Sequence, residues 1–154
     1  MPLYQFLLIV HIIAGSICLV VGLCAALFKK RRGKHTRFGQ SYHWFYVVVF
    51  LTAVVMAIMH WEQIAFLFYI ALFSYSFACL GYLAAKIRWA NWIKAHIIGM
   101  LGSYIGIVTA VLVTNGSHLS VFSEWPVGLF WILPTIIGSP IIVMVSRRFR
   151  SIRL

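Results

Sequence analysis

The feature that most constrains this chain is a series of apolar stretches, each about 20 residues long, the length an α-helix needs to cross a bilayer core. Only short polar or basic segments separate them. Backbone groups in lipid must be satisfied within their own segment, so each stretch is predicted to be a helix. The expected helices cover residues 3–28, 41–60, 64–86, 92–114 and 126–146. The chain is 63% hydrophobic and 10% charged, against about a quarter charged in a soluble domain. The expected fold class is therefore all-α: a polytopic membrane protein, with 1–154 forming a single five-helix transmembrane bundle.

The basic residues set the expected orientation. Lys29-Lys30-Arg31-Arg32-Gly33-Lys34-His35-Thr36-Arg37 carries six fixed positive charges in nine residues. Lys86, Arg88 and Lys94 lie between the third and fourth stretches, and Arg147, Arg148, Arg150 and Arg153 follow the fifth. Five alternating helices place all thirteen on one side, and the only two acids, Glu62 and Glu124, on the other. By the positive-inside rule the N-terminus is outside and the C-terminus cytoplasmic. The expected location is the cytoplasmic (inner) membrane. Trp44, Trp61, Trp89, Trp92 and Trp125 fall near predicted helix ends, as interfacial anchors do.

A net charge of +11 also invites a nucleic-acid reading. The positions argue against it. These residues flank apolar spans, which is the arrangement of topology signals and anionic-lipid contacts. The first stretch lacks a basic n-region and an A-x-A-like cleavage site, so it reads as a retained helix and not as a signal peptide. Leu23-Cys24 echoes a lipoprotein cleavage site, but its neighbours do not fit one. Cys18, Cys24 and Cys79 all lie in apolar spans, where a thiol behaves as a small hydrophobe.

Small residues mark expected packing faces. Gly99, Ser103, Gly106 and Ala110 recur at three- and four-residue steps, with Gly102-x-x-x-Gly106 in the same run; Gly15, Cys18, Gly22 and Ala26 form a similar face. Such faces let helices approach closely in lipid. Pro134 and Pro140 interrupt the donor ladder of the last helix and predict kinks there.

Chemistry is sparse. Apart from Lys86 and Lys94 at span ends, no Asp, Glu, Lys or Arg lies within a predicted span, which disfavours ion-coupled transport. There is no Gly-x-Ser-x-Gly turn, P-loop, His-Glu-x-x-His or Cys-x-x-Cys. Histidines remain: His11, His35, His43, His60, His96 and His118. His11 and His96 project from the two small-residue faces, where an imidazole is costly unless paired or ligating. At about 1.5 Å per helical residue, His11 and His60 lie in the outer half and His43 and His96 in the inner half. The two tiers are about 20 Å apart, so His11 and His96 cannot share one ion. Imidazole ligates haem iron, zinc and copper. His11 and His96 are thus the candidate cofactor ligands, and His11, His43, His60 and His96 the candidate metal ligands, for a haem or a transition metal. Against a two-haem path, His43 and His60 are turned about 100° from each other around their helix. The basic segment has two readings: a topology anchor on anionic lipid, or a headgroup site built on Lys34, His35 and Arg37.

His11-Ile-Ile-Ala-Gly15, then Gly33-Lys-His35-Thr-Arg-Phe-Gly39-Gln-Ser-Tyr42, then His96-Ile-Ile-Gly-Met-Leu-Gly-Ser103-Tyr104 with Thr109-Ala110, resemble an uncharacterised prokaryotic family of small integral membrane proteins. Trp131-Ile-Leu-Pro134 and Gly138-Ser-Pro140 fit its last helix. The resemblance spans nearly the whole chain, with Gln40 standing where that family usually carries Arg. It implies a bacterial cytoplasmic-membrane protein, brings no activity, and singles out His11, His35 and His96. His43 and His60 lie outside its pattern. The His-x-x-x-Gly pieces are also similar to transmembrane b-type cytochromes. The functional expectation is a small membrane protein binding metal or haem through His11 and His96. The alternatives are a non-enzymatic lipid-binding or accessory subunit, as a homo-oligomer or with a membrane partner, and a small-molecule transporter that moves through its last helix.

Overall fold

The computed structural model describes residues 2–29 and 33–150, the side chain of Arg150 excepted. Lys30, Arg31, Arg32 and Arg153, part of the basic sequence signal, lie outside the described residues. The described chain is all-helical: α1 (Pro2–Leu27), α2 (Lys34–Met59), α3 (Trp61–Ile87), α4 (Trp92–Asn115) and α5 (Val127–Arg150), with a short 3-10 turn at Gly116–His118. All five are long and apolar enough to cross a membrane. At 24 to 27 residues each, they span roughly 36–40 Å, more than the ~30 Å hydrocarbon core.

The largest departure from expectation is the start of α2, at Lys34 and not near residue 41. A charged segment cannot lie in hydrocarbon, so the sequence predicts a loop there. A helix need not end where lipid does. Lys, Arg and Gln are good helix formers, so the helix continues through them to Gly33. That glycine has φ of 126°, a left-handed value, and its carbonyl accepts from the Arg37 amide at 2.9 Å. L-residues rarely adopt such a φ, so the chain turns there. In the same way α5 runs on through Arg147 and Arg148 to Arg150. It is one continuous helix across Pro134, which is buried, and Pro140, which is exposed.

The chain packs as two compact units that divide between Cys79 and Leu80, within α3. In the first, α1 lies antiparallel on α2. The small face of α1 is spent on this contact: Ala14, Cys18, Gly22 and Ala25 are buried. The Cys18 thiol meets the Tyr42 carbonyl at 3.5 Å, and a Cβ on Gly15 would rest 4.0 Å from Val49. The two helices join through stacked Phe28 and Phe38, 5.1 Å between centroids. α2 and the first part of α3 meet through aromatic rings, with Phe50 stacked on Tyr75 at 4.4 Å. All three cysteines are free.

In the second unit, the end of α3 packs on α4, and α4 on α5. Gly81 allows the first contact: a Cβ there would lie 2.6 Å from the Met100 amide nitrogen. Gly138 lies against the Ile105 side chain, and Gly116 against the ring of Phe130, which is 1% exposed. The buried residues of α4 are Gly99, Ser103 and Ile107. The stripe therefore advances by fours, leaving Ala110 exposed, although the sequence placed Ala110 on the same face. α3 and α4 join across a tight turn in which Arg88 (φ 58°) and Asn91 (φ 61°) are both left-handed.

Large apolar side chains cover much of the remaining surface, including Phe6, Ile12, Val20, Phe73, Ile136 and Met144. A bilayer covers such a surface at no cost, whereas water does not. Trp61, Trp89 and Trp125 are exposed near helix ends, as anchors require, whereas Trp44, also exposed, lies nearly three turns inside α2.

Candidate functional site

The six imidazoles fall into two groups. His11, His35 and His96 each direct Nδ1 at an oxygen on a neighbouring helix. His11 Nδ1 is 2.9 Å from the Thr52 hydroxyl, across the α1–α2 contact. That hydroxyl has a single proton, and it points at the carbonyls of Val48 (2.8 Å) and Val49 (3.0 Å). With that proton on a carbonyl, Thr52 Oγ1 accepts from His11 in the tautomer protonated on Nδ1. His35 Nδ1 is 2.8 Å from the Ala25 carbonyl, and His96 Nδ1 is 2.8 Å from the Gly81 carbonyl. A carbonyl only accepts, so these imidazoles too carry their proton on Nδ1. Each bond ties one helix to the next.

The remaining three behave differently. His43 is 6% exposed and sits among rings, 5.9 Å from Trp44 and 6.1 Å from Tyr75. His60 ends α2, with its ring edge-on to Tyr4 at 4.5 Å. His118 is exposed in the 3-10 turn. Among the described residues no three His, Cys, Asp or Glu side chains come together as a metal-binding group. His11 and His60, which depth placed in one tier, have separate partners in Thr52 and Tyr4.

A polar cluster that sequence reasoning missed lies around α2. Tyr42 and Tyr46 are 1% and 3% exposed, and the Tyr46 hydroxyl meets Ser74 of α3 at 2.5 Å. Tyr42, Tyr46 and Phe50 follow at four-residue steps, so the signal was present as helical spacing. Thr52 was missed because a lone threonine in an apolar span ordinarily bonds its own helix; here it does so and accepts a histidine as well.

Two hollows flank α2. At its basic end an open groove of about 570 Å³ is lined by Arg37, Gln40, Ser41, Trp44, Phe45 and Val48. At the other end, one of about 340 Å³ is lined by Tyr4, Gln5, Met59 and His60. Of the three residues expected to bind a headgroup, Arg37 lines the first groove. Lys34 is turned onto the ring of Phe28, 5.7 Å from its centroid, and His35 is tied to Ala25.

No family model matches the chain, and no curated protein or solved structure is detectably similar to it.

Proposed function

We propose that this chain is a non-enzymatic, multi-pass module of a bacterial cytoplasmic membrane, with its N-terminus outside and its basic helix ends in the cytoplasm. In this reading His11, His35 and His96 hold helices together. The observation that carries it is their shared use of Nδ1 on an oxygen of the adjacent helix. A hydrogen bond of this kind in a membrane protein contributes about 0.6 kcal/mol on average and up to about 1.7. Three of them fasten the bundle without supplying reactive chemistry. The orientation rests on the segregation of Lys and Arg. Its basic ends carry aromatic–cation pairs, Lys34 on Phe28, Lys86 on Tyr82 and Arg88 on Trp92, which suit an anionic lipid surface.

One observation favours a second reading, in which His11 and His96 ligate a metal or haem. An imidazole protonated on Nδ1 leaves Nε2 unprotonated, the form that metal ligation uses. Purified protein, expressed with haem and metals available, distinguishes the two. The module reading expects no Soret band and no stoichiometric metal, together with lower thermal stability for His11→Ala and His96→Ala. A Soret band or bound metal lost in either variant supports the second reading and overturns the first.

A further inference from the structure

We propose that the groove at the basic end of α2 binds one anionic phospholipid, its phosphate at Arg37, Gln40 and Ser41 and an acyl chain along Phe45 and Val48. This goes beyond the membrane-module reading, which needs only a general attraction to the lipid surface.

The chemistry along the groove follows the order of a phospholipid's groups. Its lining begins with a guanidinium, passes an amide and a hydroxyl, reaches an indole, and ends in Phe45 and Val48. From Arg37 to Val48 the helix rises roughly 16 Å. That is enough to run from the headgroup layer, about 5–8 Å deep, well into the hydrocarbon. Trp44, 62% exposed, stands between the polar and apolar parts, where indoles sit in a membrane. A phospholipid has the same sequence of groups in the same order.

Charge selects the headgroup. Arg37 is exposed and no carboxylate lines the groove. A guanidinium fits a phosphate through two parallel N–H bonds, which a lysine cannot offer. Gln40 and Ser41 add uncharged donors for the remaining oxygens. The apolar wall argues for a lipid over a soluble phosphate compound, because a free anion gains nothing from Phe45 and Val48.

Native mass spectrometry of the full chain, released from mixed phosphatidylglycerol and phosphatidylcholine with identical acyl chains, tests this. One retained phosphatidylglycerol per chain is expected, in clear excess over phosphatidylcholine. Arg37→Gln should lower that retention about fivefold, the worth of one basic residue at a membrane surface. Trp44→Ala should lower retention of both lipids. Arg147→Gln, a basic change outside the groove, should leave retention as it was. Arg37 is exposed, so a melting temperature matching that of the parent protein should accompany the loss. Equal retention of the two lipids, or equal effects of Arg37→Gln and Arg147→Gln, overturns the proposal. So does displacement of the lipid by glycerol 3-phosphate, which carries the phosphate without chains.

Discussion

In the α1–α2 hairpin the histidine next to the turn, His35, donates to Ala25 in the last turn of α1. In the α3–α4 hairpin the histidine next to the turn, His96, donates to Gly81, more than one turn inside α3. The acceptors differ in kind. A helix end leaves its last carbonyls for outside donors, so His35 acts as a cap and asks nothing special of the packing. Gly81 lies where its carbonyl also serves the helix ladder, and its second lone pair receives His96. Reaching that lone pair requires the two backbones to approach closely, and a glycine at the crossing is what permits it. One tie is made at the end of a hairpin; the other is built into a helix crossing. The lesson is that equal hydrogen bonds, both 2.8 Å long, depend on very unequal surroundings.

The most severe way to break the α3–α4 arrangement is Gly81→Ala. The added Cβ would meet the Met100 backbone nitrogen at 2.6 Å and its side chain at 2.8 Å, and the backbone cannot turn aside. A loss of about 3 kcal/mol in unfolding free energy, the upper end for overpacking, is expected in detergent unfolding. The matching change in the first hairpin, Gly15→Ala, meets Val49 only at 4.0 Å and should be nearly silent by the same measurement.

Thr52→Val comes next. It keeps the shape and removes the hydroxyl that His11 Nδ1 meets across the α1–α2 contact. The expected cost is about 1–2 kcal/mol. Thr52→Ser, which keeps the hydroxyl, should recover most of it.

Direct removal of the ties sharpens the contrast. His96→Ala should cost about 1.5 kcal/mol and His35→Ala about 0.5 kcal/mol, within the range for hydrogen bonds in membrane proteins. Water can replace the imidazole at an interfacial helix end more readily than at a crossing. Equal losses would remove the distinction drawn here.

The smallest effect has the opposite sign. Gly39 lies within α2, and a Cβ there meets nothing within 4 Å. Gly39→Ala should raise stability by about 0.5–1 kcal/mol, the cost of glycine in a helix. A loss on this substitution would mean that something outside the chain approaches Gly39.

Much of the architecture was legible in the sequence. Apolar length gives five helices because a segment in lipid has few other ways to satisfy its backbone. The ends were less legible where charge was taken as a stop signal, as at Lys34 and Arg147. Small residues revealed that α1 has a close-packed face, though not that its neighbour there is α2. Spacing alone cannot name a partner. That His11 and His96 lie on those faces could be read from spacing. Their bonding could not, because Thr52 and Gly81 are 41 and 15 residues away in sequence. The reading of Lys34, His35 and Arg37 as one headgroup site divides in the structure. They lie on one helical turn, and their side chains point to Phe28, Ala25 and the groove respectively.

Nitrogen NMR of protein labelled with 15N at histidine alone reads directly where the imidazole protons sit. His11→Ala, His35→Ala and His96→Ala assign the signals by loss. All three histidines are predicted to carry a proton on Nδ1, with Nε2 showing neither metal coordination nor haem broadening. Protonation on Nε2 in His11 or His96, or a metal-shifted Nε2 in either, would contradict the view that these side chains serve to tie helices together.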